Sequence, residues 1–161
     1  MKISVIIPTY NREEHLINCL SSLLNQTKKP FEIIVIDNSN NSYAKKVVFT
    51  FEEKFNQQNI SIYCFRNSIN SGAIARNLGA SKAKGDLIAF LDDDVLLDTN
   101  YYEEIEKVFL KYPDALGVHG YNKVVNKVYQ EMKNSFLYSF HEKFKKLFMI
   151  SSYYEESKSR V

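Results

Sequence analysis

Three consecutive carboxylates, Asp92, Asp93 and Asp94, follow an apolar run that predicts a strand over Leu87–Leu91. Alternate residues of an extended segment point to the same side, so Asp92 and Asp94 can face one cleft together. Hard oxygen ligands favour Mg²⁺ or Mn²⁺ over zinc, and phosphate oxygens and water complete such sites. The alternative interpretation is that the three acidic residues end a strand and cap the next helix, where their negative charge interacts favourably with the helix dipole.

Three other polar segments follow predicted strands, and each contains side chains that could bind a ligand. They are Pro8-Thr9-Tyr10-Asn11-Arg12 after the first strand, Asp37 to Asn41 after the second, and Asn67 to Gly72, with Asn70 between them and Arg76 beyond, after the third. In an open parallel sheet, ligands bind outside the carboxyl ends of the strands. We therefore expect all four polar segments to meet at one rim of the sheet.

Two of these side chains have more than one interpretation. Asp37 could accept a hydrogen bond from a base N–H or a ribose hydroxyl, or it could form an Asx-turn in its Asn- and Ser-rich loop. Arg76 could reach a diphosphate, clamp the acidic rim, or lie on a solvated helix face. The backbone around Asn70 and Gly72 can approach a ligand closely, because glycine carries no side chain.

The elements that would position these residues alternate as βαβα over the first 120 residues. Several predicted strands are continuously apolar, as expected when helices cover both faces of a sheet. This pattern predicts a doubly wound, mostly parallel α/β sheet, Rossmann-like in layout. The predicted strands are Ile3–Ile7, Glu32–Ile36, Ile60–Phe65, Leu87–Leu91 and Ala115–Val118. Four helices are predicted. The first begins at an Asn11-x-x-Glu14 capping box, and the second and third run over Ser42–Phe55 and Ala73–Ala83. The fourth runs over Asn100–Tyr112 and begins at an Asn100-x-x-Glu103 cap.

The composition excludes several classes of protein. The 161 residues are 45% apolar and 25% charged, with 21 Lys+Arg against 19 Asp+Glu. Such a chain is typical of one globular domain, and it is neither disordered nor dependent on disulfides. Cys19 and Cys64 are expected to be reduced residues of a cytoplasmic protein. The near balance of charge argues against nucleic acid as a partner, and no apolar run is long enough to span a bilayer.

The order of the motifs resembles the inverting glycosyltransferases of family 2, which have the GT-A fold. The resemblance covers roughly residues 1–120, and its specificity lies in four motifs in order. They are Pro8–Arg12, then Asp37, then Asn70 and Gly72 through Ala75-Arg76-Asn77 to Gly79, and finally Phe90–Asp94.

The resemblance implies a nucleotide-diphospho-sugar donor, usually a UDP-, GDP- or dTDP-sugar. The Thr9–Asn11 turn and Asp37 would surround the nucleoside, and Arg76 would hold the pyrophosphate or order the acidic residues. Asp92 and Asp94 would correspond to the outer carboxylates of a DxD-type motif. Asp94 would then be the direct ligand of Mn²⁺ or Mg²⁺, and Asp92 would lie near the ribose or the metal. The acceptor would be a saccharide or a lipid-linked molecule, as in bacterial surface polysaccharide synthesis.

The general base that such a transfer needs is not identified. In this family it usually lies well downstream of the DxD-type motif, and none of the later glutamates stands in a matching motif. We therefore expect a nucleotide-sugar-binding core over residues 1–120 and a C-terminal extension over 121–161 that belongs to an incomplete acceptor region. Two alternatives are a catalytically silent nucleotide-sugar-binding domain and a phosphatase of the haloacid dehalogenase type. The phosphatase is disfavoured, because Leu96 stands where its motif has Thr or Val.

The C-terminal extension has its own pattern. Phenylalanines recur every four residues between Glu131 and Ile150, which predicts an amphipathic helix. Its apolar stripe could cover the sheet or pair with other C-terminal sequence. It could also rest on a membrane surface with its lysines toward anionic lipids, which would make the protein peripheral at the inner face of the membrane.

Overall fold

The computed structural model describes residues 1–120, in which four strands alternate with four helices. This is the predicted α/β architecture, and four of the five predicted strands are confirmed within one or two residues of the expected bounds. The elements are β1 (Ile3–Thr9), α1 (Glu13–Leu24), β2 (Glu32–Asp37), α2 (Tyr43–Asn56), β3 (Ser61–Arg66), α3 (Gly72–Lys82), β4 (Leu87–Phe90) and α4 (Tyr101–Lys111).

The strands form one parallel sheet in the order β3-β2-β1-β4. The register aligns Thr9 with Asp37, and Asp37 with Arg66, so three strands end at the same level. On the other side of β1, Ile6 is aligned with Phe90, the last residue of β4. The acidic residues that follow β4 therefore emerge beside the end of β1.

The core has two layers because β1 and β2 lie in the middle of the sheet and are apolar on both faces. On one face, Ile7 and Val35 pack with Leu20 of α1, with α2 and with Tyr102 of α4. On the other face, Ile6, Ile34 and Ile36 pack against Ala75 of α3. The sheet and both helical layers thus hold the carboxyl ends of the strands in fixed relative positions.

The predicted strand over Ala115–Val118 is wrong. Within residues 1–120, the sheet ends at β4, and residues 115–118 form no strand. Leu116 is fully exposed, and among residues 1–120 the short apolar run there has no neighbouring strand to pair with. An apolar run of four residues is too short to specify a strand without such a partner.

Both predicted capping boxes are also wrong in their contacts. Asn11 has a left-handed φ of 53° and does not cap α1, whose N-cap is Arg12 without a side-chain hydrogen bond. Asn100 does precede α4, but its side chain accepts no hydrogen bond from the helix. Glu103 instead accepts a hydrogen bond from the Thr27 hydroxyl, because its side chain turns toward the neighbouring loop. In each case a tertiary contact replaces the local one that the spacing suggested.

The predicted C-terminal helix and the division of the chain at residue 120 concern residues 121–161, which lie outside the described part. Among the described residues, no helix has the length and apolar character needed to cross a bilayer.

Candidate functional site

A cleft of about 280 Å³ lies at the carboxyl ends of the strands. It brings together residues from all four of the segments that sequence reasoning selected. Its lining consists of Pro8, Thr9, Tyr10, Arg12, Asn38, Asn70, Gly72, Arg76, Asp92, Asp93 and Asp94. Two predicted site residues, Asn11 and Asp37, do not line this cleft, while Asn38 lines it without having been predicted.

The acidic residues form a turn, whereas an extended segment was expected. The turn is closed by a hydrogen bond from the Val95 N–H to the Asp92 carbonyl oxygen at 3.2 Å. Asp93 points inward and is 5% exposed. The side chains of Asp92 and Asp94 are 58% and 48% exposed. Asp92 and Asp94 both line the cleft, and a turn places them there where an extended segment was expected. Below, they are called the outer carboxylates and Asp93 the inner one.

The inner carboxylate of Asp93 is held through both of its oxygens. The Thr9 hydroxyl, at the end of β1, donates to Oδ2 at 2.7 Å, and Arg12 Nη1 donates to Oδ1 at 3.3 Å. A buried carboxylate needs such donors, because an unpaired charge in this position is strongly unfavourable. Asp93 thus anchors the acidic turn to β1.

Each outer carboxylate is paired with an arginine from another segment. Arg76 Nη2 lies 2.5 Å from Asp92 Oδ1, and Arg12 Nη1 lies 3.0 Å from Asp94 Oδ2. Of the three interpretations of Arg76, the structure shows the clamp on the acidic rim. Gly72 leaves room for this side chain, since a Cβ there would lie 3.2 Å from Arg76 Nη1.

Asp37 lies beneath the cleft and forms the Asx-turn that was one of its two interpretations. It is 4% exposed, and its Oδ1 accepts a hydrogen bond from the Ser39 N–H at 2.8 Å. The next residue, Asn38, lines the cleft, and its Oδ1 accepts a hydrogen bond from Asn67 Nδ2 at 2.8 Å. The sequence analysis placed both asparagines in polar segments that follow predicted strands, but it assigned neither of them an individual role.

Asn11 joins two loops beside the cleft. Its N–H donates to Ser39 Oγ at 2.9 Å, and its Oδ1 accepts a hydrogen bond from Asn41 Nδ2 at 2.8 Å. The left-handed backbone at this position suits asparagine better than most residues. The neighbouring Tyr10 is 43% exposed and presents an aromatic ring at the rim of the cleft.

A buried cysteine of α1 lies under the acidic turn. The Cys19 thiol contacts the Asp92 carbonyl oxygen at 3.8 Å and is placed to donate a weak hydrogen bond to it. Burial raises the pKa of Cys19 from 9.0 to about 12, and the charges of Asp93, Asp94 and Asp92 act in the same direction. Cys19 is therefore a neutral thiol that supports the turn, as its expected reduced state allows.

The donor set fits a hard divalent cation only in part. Asp92 and Asp94 each use one oxygen on an arginine, which leaves one carboxylate oxygen on each without a protein partner within residues 1–120. In that part of the chain, no group of three or more His, Cys, Asp or Glu side chains is placed to hold a metal ion. Mg²⁺ and Mn²⁺ often take one or two carboxylates plus phosphate oxygens and water, so these residues suit a cation that arrives with a phosphorylated ligand.

Comparison with known proteins decides the family. A sequence model described as "Glycosyl transferase family 2" matches residues 4–157. The chain belongs to glycosyltransferase family 2. Family membership disfavours the phosphatase interpretation and agrees with the resemblance carried by the four motifs. It also supports the expectation that the chain is part of an enzyme of this family.

Curated relatives of the family 2 chain are longer proteins. An uncharacterized glycosyltransferase of Rickettsia bellii is 40% identical over 102 residues, which are 63% of this chain and 14% of that protein. A poly(ribitol-phosphate) beta-glucosyltransferase of Bacillus spizizenii is 35% identical over 98 residues, 58% of this chain and 15% of that protein. Across eight such relatives, the chain spans between 14% and 41% of their length.

A third relative matches more of the chain. It is the dolichyl N-acetyl-alpha-D-glucosaminyl phosphate 3-beta-D-2,3-diacetamido-2,3-dideoxy-beta-D-glucuronosyltransferase of Methanococcus voltae. This protein is 30% identical over 138 residues, which cover 81% of this chain and 41% of that protein.

Solved structures share the fold. Residues 1–349 of TarS from S. aureus, in complex with UDP-GlcNAc, match with a TM-score of 0.60 and 24% identity over 74% of this chain and 37% of that one. The mannosyltransferase PcManGT from Pyrobaculum calidifontis, in complex with GDP-Man and Mn²⁺, matches with a TM-score of 0.57 and 20% identity over 73% of this chain and 33% of that one. The GT-A-like, Rossmann-like fold expected from the sequence is thereby confirmed for the described residues.

Proposed function

We propose that the cleft binds a nucleotide-diphospho-sugar together with Mn²⁺ or Mg²⁺, as the donor site of a glycosyltransferase. The observation that carries this proposal is the meeting of two arginines and two outer carboxylates in one cleft at the ends of parallel strands. Arginines recognise diphosphates, and carboxylates recognise hard cations. A ligand that contains both a diphosphate and a bound cation complements this arrangement of charges.

The nucleoside part of the donor would occupy the side of the cleft formed by β1 and β2. There, Tyr10 offers an exposed ring, and Asn38 offers an amide whose oxygen is already held by Asn67. The amide nitrogen of Asn38 makes no hydrogen bond within residues 1–120, so it can donate to a carbonyl oxygen of a base or to a ribose oxygen. Asp37 supports this side from below. The UDP-GlcNAc and GDP-Man complexes of the structural neighbours support a donor of this class.

The outer carboxylates would hold the cation, with Asp94 as the direct ligand and Asp92 at the ribose or the cation. When bound, Mn²⁺ or Mg²⁺ supplies electrostatic stabilisation of the charge that builds on the departing diphosphate. Arg76, which is paired with Asp92, would position the diphosphate from α3. Asp93 and Thr9 keep the acidic turn in place, and Cys19 supports its backbone.

The acceptor half of the reaction is proposed from the family alone. We propose that transfer inverts the anomeric centre and that the acceptor is a saccharide or a lipid-linked molecule of bacterial surface polysaccharide synthesis. The Bacillus spizizenii relative is named for poly(ribitol phosphate), and the Methanococcus voltae relative for a dolichyl-linked phosphate. Within residues 1–120 we assign no general base. A cytoplasmic location and peripheral membrane contact remain predictions, and the latter depends on residues 131–150.

Calorimetry with UDP-, GDP- and dTDP-sugars, each with and without Mn²⁺, tests the donor site. We expect one nucleotide to bind, and to bind more tightly with Mn²⁺. Asp94→Ala should abolish the Mn²⁺-dependent part of the affinity. The control is Asp86→Asn at the opposite end of the sheet, where Asp86 accepts a hydrogen bond from the Lys2 N–H, and it should leave binding unchanged. Unaltered Mn²⁺ dependence in Asp94→Ala would contradict the assigned cation ligand.

The silent-domain alternative predicts the same binding but no turnover. Donor hydrolysis in the presence of Mn²⁺, followed by nuclear magnetic resonance of the released sugar, separates the two. Slow release of the sugar with inverted configuration favours an active site, while tight binding without any release favours a binding domain.

A further inference from the structure

Arg12 contacts two carboxylates of the acidic turn at once. Its Nη1 lies 3.0 Å from Asp94 Oδ2 and 3.3 Å from Asp93 Oδ1. It is the N-cap residue directly before α1, and it lines the cleft. The family resemblance places it only among the donor-binding residues, with no individual role.

The contact with Asp94 occupies one of its two carboxylate oxygens and places a guanidinium charge beside the oxygen that remains for a cation. A guanidinium and a divalent cation at the same carboxylate repel each other, and the carboxylate cannot neutralise both. The contact with Asp93 is different, because Asp93 is buried and also held by Thr9. Arg12 can therefore give up Asp94 while the acidic turn stays anchored.

The Arg12 side chain is 53% exposed, so it can change conformation within the cleft without repacking the core. A guanidinium released from Asp94 needs another anionic partner. The nearest one in a loaded site is the diphosphate that enters the same cleft with the cation. The negative charge of a diphosphate thereby neutralises both the cation on Asp94 and the guanidinium of Arg12 that has moved away from Asp94.

We propose, on the basis of the proposed donor site, that Arg12 makes cation binding depend on the nucleotide diphosphate. In the free protein Arg12 holds Asp94 and competes with the cation. In the loaded protein it exchanges Asp94 for a phosphate oxygen of the donor. Cation and nucleotide diphosphate then bind with positive coupling, and Arg12 is the positioning residue that carries the coupling.

The test measures two affinities in the full 161-residue chain. Free Mn²⁺ is followed by electron paramagnetic resonance without nucleotide, and the affinity for UDP or GDP, whichever the wild-type protein binds, is measured at saturating Mn²⁺. In Arg12→Gln we expect the affinity for Mn²⁺ alone to rise about three- to tenfold, the scale of one partly exposed ion pair, while the affinity for the nucleotide diphosphate falls by a similar factor.

Two further variants make the result specific. Arg12→Lys keeps the charge and should restore most of the competition with Mn²⁺. Arg66→Gln removes the same charge at the end of β3, where Arg66 donates to the Asn41 carbonyl oxygen, and it should change neither affinity. Thermal unfolding of Arg12→Gln checks that the fold is intact.

Opposite changes in the two affinities support the exchange, since a merely structural role of Arg12 would weaken both. A loss of both affinities, or an Mn²⁺ affinity that stays the same in Arg12→Gln, overturns it. If the wild-type chain binds no nucleotide diphosphate at all, the proposed donor site fails first and this inference falls with it. If the wild-type chain binds nucleotide without any effect of Mn²⁺, the exchange and the proposed cation site are both overturned, while the proposed nucleotide site stands.

Discussion

Both ends of the sheet hold a buried carboxylate, and they hold it with different partners. At the amino end, Glu32 is 2% exposed, and its Oε1 accepts hydrogen bonds from the Ser4 hydroxyl and the Lys84 N–H, both at 2.6 Å. Ser4 Oγ in turn accepts a hydrogen bond from the Gly85 N–H at 2.8 Å. Both donors to Glu32 are neutral. The Lys84 N–H belongs to the backbone, and the Ser4 hydroxyl is held by the backbone N–H of Gly85.

At the carboxyl end, Asp37 and Asp93 are both buried, and Asp93, in the acidic turn, again has a hydroxyl from β1 as a partner, that of Thr9. Its second partner is the exposed guanidinium of Arg12. The flanking Asp92 and Asp94 are held by arginines alone. Long, partly exposed cations can leave a carboxylate for a ligand, whereas backbone donors cannot. We therefore expect the amino-end carboxylate to contribute mainly stability and the acidic turn at the carboxyl end to exchange its arginines for a ligand.

The same substitution at the two ends should separate these roles most clearly. In Gly85→Ala, the new Cβ would lie 2.7 Å from the Lys2 carbonyl oxygen and from Ser4 Oγ. Because backbone cannot move aside easily, we expect a loss of about 3 kcal/mol in the free energy of unfolding. Thermal or urea unfolding measures it, and the folded fraction should bind nucleotide diphosphate as the wild type does.

The matched variant is Gly72→Ala, where the new Cβ would meet only the flexible end of Arg76, at 3.2 Å. Alanine is the better helix former, so the free energy of unfolding should change by less than about 1 kcal/mol. The affinity for the nucleotide diphosphate should nevertheless fall. The proposed difference between the two ends is wrong if Gly72→Ala destabilises the fold and leaves nucleotide binding intact.

The two hydroxyls of β1 give a second matched pair. Thr9→Val and Ser4→Ala each remove one donor from a buried carboxylate, and each should cost about 1–2 kcal/mol of stability. Only Thr9→Val should weaken Mn²⁺-dependent nucleotide binding, because Asp93 anchors the acidic turn. Calorimetry on both variants checks this, and equal effects on binding per folded molecule would refute the division of roles.

The last expected effect is confined to alkaline pH. Because the pKa of Cys19 is raised from 9.0 to about 12 in the folded protein, the unfolded chain loses the thiol proton first. The stability that the neutral thiol contributes is complete below pH 9 and is lost as the pH rises toward 12, with a slope of at most about 1.4 kcal/mol per pH unit.

Cys64, Tyr101 and Tyr102 have raised pKa values as well, so they add to the alkaline loss of stability with the same sign. The contribution of Cys19 is therefore measured as a difference. Thermal unfolding of Cys19→Ala between pH 8 and about 11 should show a shallower decline than the wild type. Parallel declines would mean that Cys19 is not protected beneath the acidic turn.

The fold was largely predictable because its main signals are local. Continuous apolar runs bounded by polar residues located β1 and β2, and helical periodicity located α2 and α4. The failures have tertiary causes. The Ala115–Val118 run has no neighbouring strand in the described part of the chain, and Glu103 pairs with Thr27 where a helix cap was expected.

The location of the site was predictable from topology, since parallel strands must end together. Its wiring was not. The pairing of Arg76 with Asp92 was one of three open interpretations, and nothing in the spacing indicates that Arg12 reaches Asp94 across 82 residues. The bond between Thr9 and Asp93 depends on the register of β1 beside β4, which the pattern of apolar residues does not specify. Whether these residues bind a donor stays a prediction.

The arginine–aspartate pairs also bear on how a newly made chain reaches its native state. The acidic turn has its countercharges encoded in the same polypeptide, so closing this end of the sheet need not await an ion from the surroundings. A zinc finger, by contrast, folds only when its ion is supplied. We therefore expect a newly synthesised chain to fold to this arrangement before any ion or ligand binds.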